Sequence, residues 1–335
     1  MEKTLQNLPN VLDIQSAANR ISKYSIVTPL LESSILNKMT GARILIKAET
    51  LQRTGAFKFR GAMNALTMLT PRKRKMGVIA YSSGNHAQAI ACAAQILETK
   101  AHVVMPDDSP KVKLEGARYY GAEIHEYNRN FDDREKIGHT LAAENKLTLI
   151  KPFDDPAVIA GQGTAGLEII DQCNNLRVKP DMVMAPVGGG GLIAGIGLAI
   201  RNRWPEIKIY AAEPYGWDDH RLSIDNSKRS KVSNSNVKTI CDALLAPMPG
   251  EITFLINKHL LETSIVVTDK EVVRAMALAF KHLKLVIEPG GAVALAAALK
   301  GQIEICGKTI IVIASGGNVD METFVYLLSK EYTND

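Results

Sequence analysis

Met182-Val183-Met184-Ala185-Pro186-Val187 runs straight into Gly188-Gly189-Gly190-Gly191, and residues 192–203 follow with helical spacing. A short, continuous apolar run bounded by a turn reads as a strand buried on both faces. Strand, glycine turn and helix, with a further strand at 207–212, make a parallel α/β unit. The glycines carry a second meaning. Four in a row cost much chain entropy when ordered, so a plain turn is the weaker reading. Their backbone can wrap an anion, and the helix N-terminus adds a favourable dipole. The stretch lacks the Gly-Lys-Ser/Thr ending of a P-loop, and it is not a GxGxxG followed by a ribose-binding acid. A single phosphate is its natural guest.

The same alternation extends in both directions. Towards the N-terminus, strands are expected at 77–81, 101–106, 123–127 and 147–150, with helices at 85–97, 110–120 and 132–145 between them. Before these come a helix at 11–23, a break at 25–30, a strand at 43–49 and a helix at 59–69. Pro71 and the basic run Arg72-Lys73-Arg74-Lys75 read as an exposed connection. After Pro156, helices are expected at 157–173, 269–283, 290–299 and 321–329, with strands at 264–267 and 309–314. Residues 220–238 are polar and read as loop-rich. Crossovers of this kind are right-handed and their sheets parallel, with ligands outside the carboxyl ends of the strands.

With 335 residues, 46% hydrophobic and 22% charged, the chain has the composition of an ordinary globular protein of about two domains. The net charge of +5 is scattered, and aromatics make up 5%, so a nucleic-acid surface is not expected. Cys92, Cys173, Cys241 and Cys306 form no CxxC pair, which argues against a disulfide framework or zinc site; Cys92 and Cys306 read as small buried side chains. Met1-Glu2-Lys3-Thr4 opens no signal sequence, and no apolar run approaches a membrane span. A cytoplasmic protein is expected.

Three more segments carry candidate chemistry. Thr54-Gly55-Ala56-Phe57-Lys58-Phe59-Arg60-Gly61 sets a primary amine between two aromatics, just before a helix. Burial and a neighbouring cation, Arg60 in this reading, would leave that amine partly unprotonated and able to form a Schiff base with an aldehyde. Ser82-Ser83-Gly84-Asn85-His86 lies between a strand and a helix; it is either an anion site or a simple N-cap with a turn glycine. Ser315-Gly316-Gly317-Asn318 follows the last core strand and offers a hydroxyl to a heterocycle, or is an ordinary turn. A reactive amine, one phosphate site, an amide-bearing loop and a strand-end hydroxyl form the parts list for pyridoxal phosphate.

With Pro156-Ala157-Val158-Ile159-Ala160-Gly161-Gln162-Gly163-Thr164 added, these motifs stand in the order seen in the fold type II pyridoxal-phosphate enzymes. Over almost its whole length the chain resembles their serine/threonine dehydratase and serine racemase group. The resemblance implies two α/β domains of the tryptophan synthase beta-like kind, each an open, mainly parallel sheet flanked by helices. The larger would be 1–70 plus 155–335 and the smaller, substrate-closing one 75–154.

It also implies roles. Lys58 would hold the cofactor and move the substrate α-proton. Phe57 would pack beside the pyridine ring, Asn85 would bond the ring hydroxyl and Ser315 would face the ring nitrogen. Gly188, Gly189, Gly190, Gly191 and Leu192 would bind the phosphate. Ser83 would be an acid/base group on the face opposite Lys58, as a racemase requires. Ser82, Ser83, Asn85 and His86 would hold the substrate carboxylate, with Arg134 closing over it. Glu213, the carbonyl of Trp217 and Asp219 would bind Mg²⁺, or Ca²⁺ or Mn²⁺, as hard oxygen ligands do. Asp242 and Glu288 would lie near the cofactor. Lys151 either reaches the substrate side chain, favouring an acidic substrate, or points to solvent.

The activity implied is dehydration of L-serine, L-threonine or a related 3-hydroxy amino acid to a 2-oxo acid and ammonia. Serine racemisation with elimination as a side reaction is the alternative, and 3-hydroxyaspartate dehydration a third. A homo-oligomer, a dimer in the first instance, is implied. Beyond the last motif no segment is long enough for an amino-acid-sensing domain, so feedback control by isoleucine is not expected.

Overall fold

The computed structural model describes residues 8–129, 131–232 and 237–332. Met1-Glu2-Lys3-Thr4 and part of the polar 220–238 segment lie outside these residues. The strands are β1 (Leu30–Glu32), β2 (Arg43–Ala48), β3 (Val78–Tyr81), β4 (Ala101–Pro106), β5 (Glu123–Tyr127), β6 (Thr148–Leu149), β7 (Met182–Pro186), β8 (Lys208–Pro214), β9 (Thr263–Val267) and β10 (Thr309–Ala314). They form a six-stranded sheet, β1-β2-β10-β7-β8-β9, and a four-stranded sheet, β5-β4-β3-β6. Only the β1–β2 pair is antiparallel among the described strands. Parallel neighbours cannot be joined by a tight turn, so helices cross over between them.

Strand periodicity sorts the large sheet's core. Ile44, Ile46, Met182, Met184, Ile310 and Val312 point to one face, against the helices Asp269–Leu283 and Pro289–Leu299. Leu45, Val183, Ala185, Ile311 and Ile313 point to the other, against Pro156–Leu176 and Gly191–Arg203. Both faces are covered, which is why these strands are largely apolar; the buried Lys47 of β2 is paired with Glu168. The register of β2 with β10 runs from Arg43↔Thr309 to Ala48↔Ala314. It brings the segments that follow both strands, 49–58 and 315–318, to the same end of the sheet.

Several expectations are corrected. Residues 71–76 are exposed as expected, but they form the short helix Pro71–Met76 and not a loop. Thr70 caps it, accepting from the Lys73 N–H at 3.3 Å, and Pro71 occupies the first turn. The polar 220–238 segment starts inside a helix, Asp219–Asp225. Cys306 is exposed, unlike the other three cysteines, because it lies in the turn before β10 and not in the strand. Sequence reading also passed over β1 and two helices. Ser34–Thr40 lies between an N-cap serine, Ser33, and Gly41 at φ 66°. Glu251–Leu260 begins after Pro249-Gly250, with an acid in its first turn and bases in its last. These caps were readable signals. No helix among the described residues is long and apolar enough to cross a membrane.

Candidate active site

Lys58 is the first residue of the helix Lys58–Thr67. The segment before it is tied to the loop after β10. Phe57 N–H donates to the Ser315 carbonyl at 3.0 Å, Gly317 N–H donates to the Gly55 carbonyl at 2.9 Å, and Ala56 bridges Gly316. The amine donates to the Pro152 carbonyl at 2.7 Å and lies 5.2 Å from the centre of the Phe57 ring. Burial of the amine, helped by the positive charge of Arg134, brings its pKa down to about 8. The expected neighbour, Arg60, plays no part in this. It lies two residues further along the helix, on another face, fully buried between Glu49 and Glu168.

One pocket collects the candidate residues. From the large sheet come Phe57, Lys58, Gly188 to Gly191, Leu192 and Ser315; from the loop and helices beside β3 come Ser82, Ser83, Asn85, His86 and Arg134. Two helix N-termini open into it. The helix Gly191–Arg203 starts at Gly190 and the helix Asn85–Ile96 at Gly84, and neither has a side-chain cap. Their first-turn N–H groups therefore stay available to anions. The glycines are needed where they stand. A Cβ on Gly189 would meet the Phe153 ring at 2.2 Å, and Gly190 has φ +96°. The carbonyls of this loop are held by residues outside the pocket lining. Thr253 Oγ1 donates to the Gly189 carbonyl at 2.6 Å and Asn257 Nδ2 to the Gly190 carbonyl at 3.3 Å. The helix missed in the sequence, Glu251–Leu260, is thus the one that orients the glycine loop.

Asn85 is held at both ends of its amide. Nδ2 donates to Glu288 Oε1 at 2.5 Å and Oδ1 accepts from Asn318 Nδ2 at 2.8 Å. Behind it Lys113, buried under Gly84, pairs with Asp242 at 2.7 Å and Glu288 at 2.8 Å. Burial opposes the charge on Lys113, but the two carboxylates outweigh it and raise its pKa. His86 places Nε2 3.2 Å from the Ile150 carbonyl, which can only accept, so that nitrogen carries the proton. Burial, with Lys58 nearby, lowers the ring's pKa to about 3, and the imidazole is neutral. Arg134 heads its helix and lies 5.8 Å from the Tyr81 ring centre. Sequence reading missed Tyr81, Lys113 and Arg129; Tyr81 and Arg129 line the pocket and Lys113 braces it. Lys151 is not in the lining; its charge lies near Asp155.

The proposed cation ligands form a second, separate cluster. Glu213 and Asp219 are fully buried, and His220 joins them with ligand atoms within 4.8 Å of one another. Glu213 accepts from the backbone N–H groups of His220 and Arg221 at 2.8 and 3.0 Å. Both oxygens of Asp219 are buried without a hydrogen-bond partner among the described residues. Burial raises Glu213 to about 7 and Asp219 to about 8. Trp217 lies on the connecting turn, its indole N–H donating to the Val237 carbonyl at 2.9 Å. His220, which sequence reading did not include, has Nε2 3.3 Å from Asn257 Nδ2, the group that holds Gly190.

Residues 21–316 match the family described as pyridoxal-phosphate dependent enzyme, and the chain belongs to that family. Its fold is the fold type II architecture, and its cofactor is pyridoxal phosphate. The chain is 44% identical to an L-threo-3-hydroxyaspartate ammonia-lyase of Saccharomyces cerevisiae, over 96% of this chain and 97% of that one. It is 40% identical to a serine racemase of Schizosaccharomyces pombe, over 96% and 98%. Among solved structures, a maize serine racemase superimposes with a TM-score of 0.90 at 35% identity, covering 98% of this chain and 99% of that one. The residues present suit the cofactor: an amine of lowered pKa, and an uncapped glycine loop in which a Cβ has no room.

Proposed function

We propose that the chain removes water from a small 3-hydroxy amino acid (L-serine, L-threonine or 3-hydroxyaspartate), giving a 2-oxo acid and ammonia. The observation that carries this reading is Lys58, an amine with a pKa near 8 in one pocket with two uncapped helix N-termini. Pyridoxal phosphate, bound there, supplies an aldehyde for the amine and a ring that draws electrons from the α-carbon. Lys58 anchors it and moves the α-proton, a task for which a pKa near the working pH is suited. Gly188, Gly189, Gly190, Gly191 and Leu192 take the phosphate through N–H groups. Phe57 packs beside the ring and Asn85 bonds its hydroxyl. Ser315 faces the ring nitrogen and, being a hydroxyl, does not force a proton onto it; this favours loss of the 3-hydroxyl over transamination. The second helix start, with Ser82, Ser83, Asn85 and His86, receives the substrate carboxylate, and Arg134 closes over it. Loss of water leaves an enamine, which tautomerises and hydrolyses to the oxo acid and ammonia. In this reading residues 75–154, around the four-stranded sheet, form the unit that closes over substrate, and 1–70 plus 155–335 the larger unit.

Racemisation is the second reading, and the presence of the Ser83 hydroxyl in the lysine pocket favours it. A panel of serine, threonine and 3-hydroxyaspartate isomers, scored for oxo acid and enantiomer together, tests both. Dehydration predicts oxo acid from at least one L-isomer, and oxo acid from none of them would sink it. Ser83→Ala is expected to lower D-serine formation by about 10²–10⁴-fold while sparing most of the elimination. Wild-type enzyme that makes no D-serine above background would rule out the racemase reading.

Glu213, Asp219 and the Trp217 carbonyl are further proposed to hold Mg²⁺, or Ca²⁺ or Mn²⁺. The oxygens of Asp219, which accept no hydrogen bond among the described residues and of which one lies 3.4 Å from the His220 ring, support this, since a divalent cation would offset two buried carboxylates. The chain of contacts from His220 through Asn257 to Gly190 supports an effect of that cation on the phosphate loop. Glu213→Ala is expected to weaken the Mg²⁺ response at least about tenfold after chelation and re-addition. An unchanged response would show that the cation acts elsewhere. The same reading takes the protein to be a homodimer and to be cytoplasmic; the unpaired, buried Cys92, Cys173 and Cys241 support the reducing compartment.

A further inference from the structure

A second group of metal-ligating side chains lies away from both sites described. His102 is on β4, and Glu123 and His125 are on β5, the edge strand of the four-stranded sheet. The parallel register sets His102 opposite Glu123 and Val104 opposite His125. Side chains alternate along a strand, so all three project to one face. That face is the one covered further along by the helix Arg134–Glu144, where Val104 and Tyr127 pack with Ile137 and Leu141. His125 lines a shallow cleft against Lys136, Ile137, Thr140 and Leu141 of that helix. None of the three residues lines the lysine pocket.

Their ligand atoms converge. His102 Nδ1 lies 3.1 Å from His125 Nε2. Each nitrogen also faces one oxygen of Glu123, His102 Nδ1 at 3.5 Å from Oε2 and His125 Nε2 at 3.6 Å from Oε1. Two nitrogens on a tetrahedral ion with bonds of 2.0–2.1 Å would be about 3.3 Å apart. The observed edges bracket that spacing, so an ion fits with small adjustments. The rings lie 17° from parallel with centroids 5.4 Å apart, and the two nitrogens face each other, so each ring must tilt slightly to aim both at one ion. Glu123 is the most exposed of the three, with 64% of its side chain accessible, and can swing to complete the set. Lys136, which lines the cleft, is exposed, and its long side chain can turn to solvent.

We propose that His102, Glu123 and His125 form a transition-metal site that fastens the edge strand β5 to β4. Two imidazoles and a carboxylate select Zn²⁺ and its neighbours over Mg²⁺ and Ca²⁺. The ligand set thus differs from that of the Glu213–Asp219 cluster, where two carboxylates stand beside a single imidazole, His220. Three protein ligands leave at least one position for water. The site does not depend on the proposed reaction.

The test uses tag-free holoenzyme, stripped of metals and then held in excess Mg²⁺ so that the Glu213–Asp219 cluster is filled. Co²⁺ is added while the visible spectrum is followed. The expected result is a d–d band that saturates at one Co²⁺ per chain and is lost on adding Zn²⁺. His125→Gln and Glu123→Gln should each raise the Zn²⁺ dissociation constant at least about tenfold, measured by Co²⁺ displacement, with activity unchanged. Glu213→Gln should leave it unchanged. Absence of a saturable band in the wild type would overturn the proposal. So would a Zn²⁺ affinity that survives both substitutions, or one that falls with Glu213→Gln.

Discussion

Lys58→Ala is expected to lower turnover by about 10²–10⁴-fold or more, since the substitution removes both the anchor for the cofactor and the base that moves the α-proton. Activity alone cannot separate this from a folding defect, so two other readouts are needed. Borohydride reduction of the wild-type holoenzyme should fix cofactor to the peptide containing Lys58, and the variant should carry none at any lysine. The second readout is stability in the cofactor-free protein. The amine's pKa in the fold is about 8, against 10.5 ordinarily. Between those values the unfolded chain binds more protons than the folded one, so stability rises with pH across the window. Below pH 8 the charged amine costs the fold up to about 3 kcal/mol, and less to the extent that water in the pocket reaches it. Cofactor-free Lys58→Met should therefore be more stable than the cofactor-free wild type at neutral pH. The gap should close as pH rises from about 8 to 10.5. A gap that stays constant with pH would mean that the amine is not strained in the pocket.

Arg60→Met is expected to destabilise the protein by about 3–5 kcal/mol, because it strands the buried Glu49 carboxylate and takes one of the two cations that Glu168 holds. The guanidinium is fully buried. It donates Nε to Glu49 Oε2 at 2.7 Å and Nη2 to Glu49 Oε1 at 2.8 Å, and it reaches Glu168 at 2.6 and 2.8 Å. Lys47, also fully buried, joins Glu168 at 2.6 Å and the Thr28 carbonyl at 2.7 Å. Burial acts to raise the pKa of Glu49, but Arg60 outweighs it and the value ends below the ordinary range. The linkage follows from that direction. A carboxylate with a lowered folded pKa stabilises the fold above its unfolded value of 4.5 and loses that contribution as pH falls through the folded value. The difference between wild type and Arg60→Met should accordingly be greatest towards neutral pH and shrink in acid, beginning above 4.5 because burial raises the pKa of a Glu49 that has lost Arg60. Urea unfolding at several pH values measures it. A midpoint equal to the wild type at pH 7 would show that the network contributes nothing. Arg60 does not line the lysine pocket, so the folded fraction should still bind cofactor.

The two substitutions lie two residues apart and act on different properties. A helix turns about 200° between i and i+2, so Lys58 and Arg60 cannot face the same neighbour. The nearest basic residue in sequence was for that reason the wrong partner. Arg134, 76 positions away in the chain, is the charge beside the amine.

What could be read from the residues was local. A strand, a glycine turn and a helix start occupy consecutive positions, so the glycine loop and the Ser82–His86 loop were visible without a structure. Helix extents set by N-caps, such as Thr268 before Asp269–Leu283, were equally plain. The misses at 34–40 and 251–260 were local signals passed over, not signals that were absent. Other features have no local signature at all. Lys113 meets Asp242 across 129 positions, Arg60 meets Glu168 across 108, and Thr253 holds Gly189 across 64.

By itself the sequence determined the parallel α/β architecture, the glycine loop and the amine that faces it, because strand periodicity, glycine runs and helix starts act over a few neighbouring residues. Tertiary structure alone decided which charge depresses that amine, which helix turns the loop's carbonyls away from the pocket, and that His102, Glu123 and His125 meet. Those depend on sheet register and helix packing, which join residues far apart in the chain.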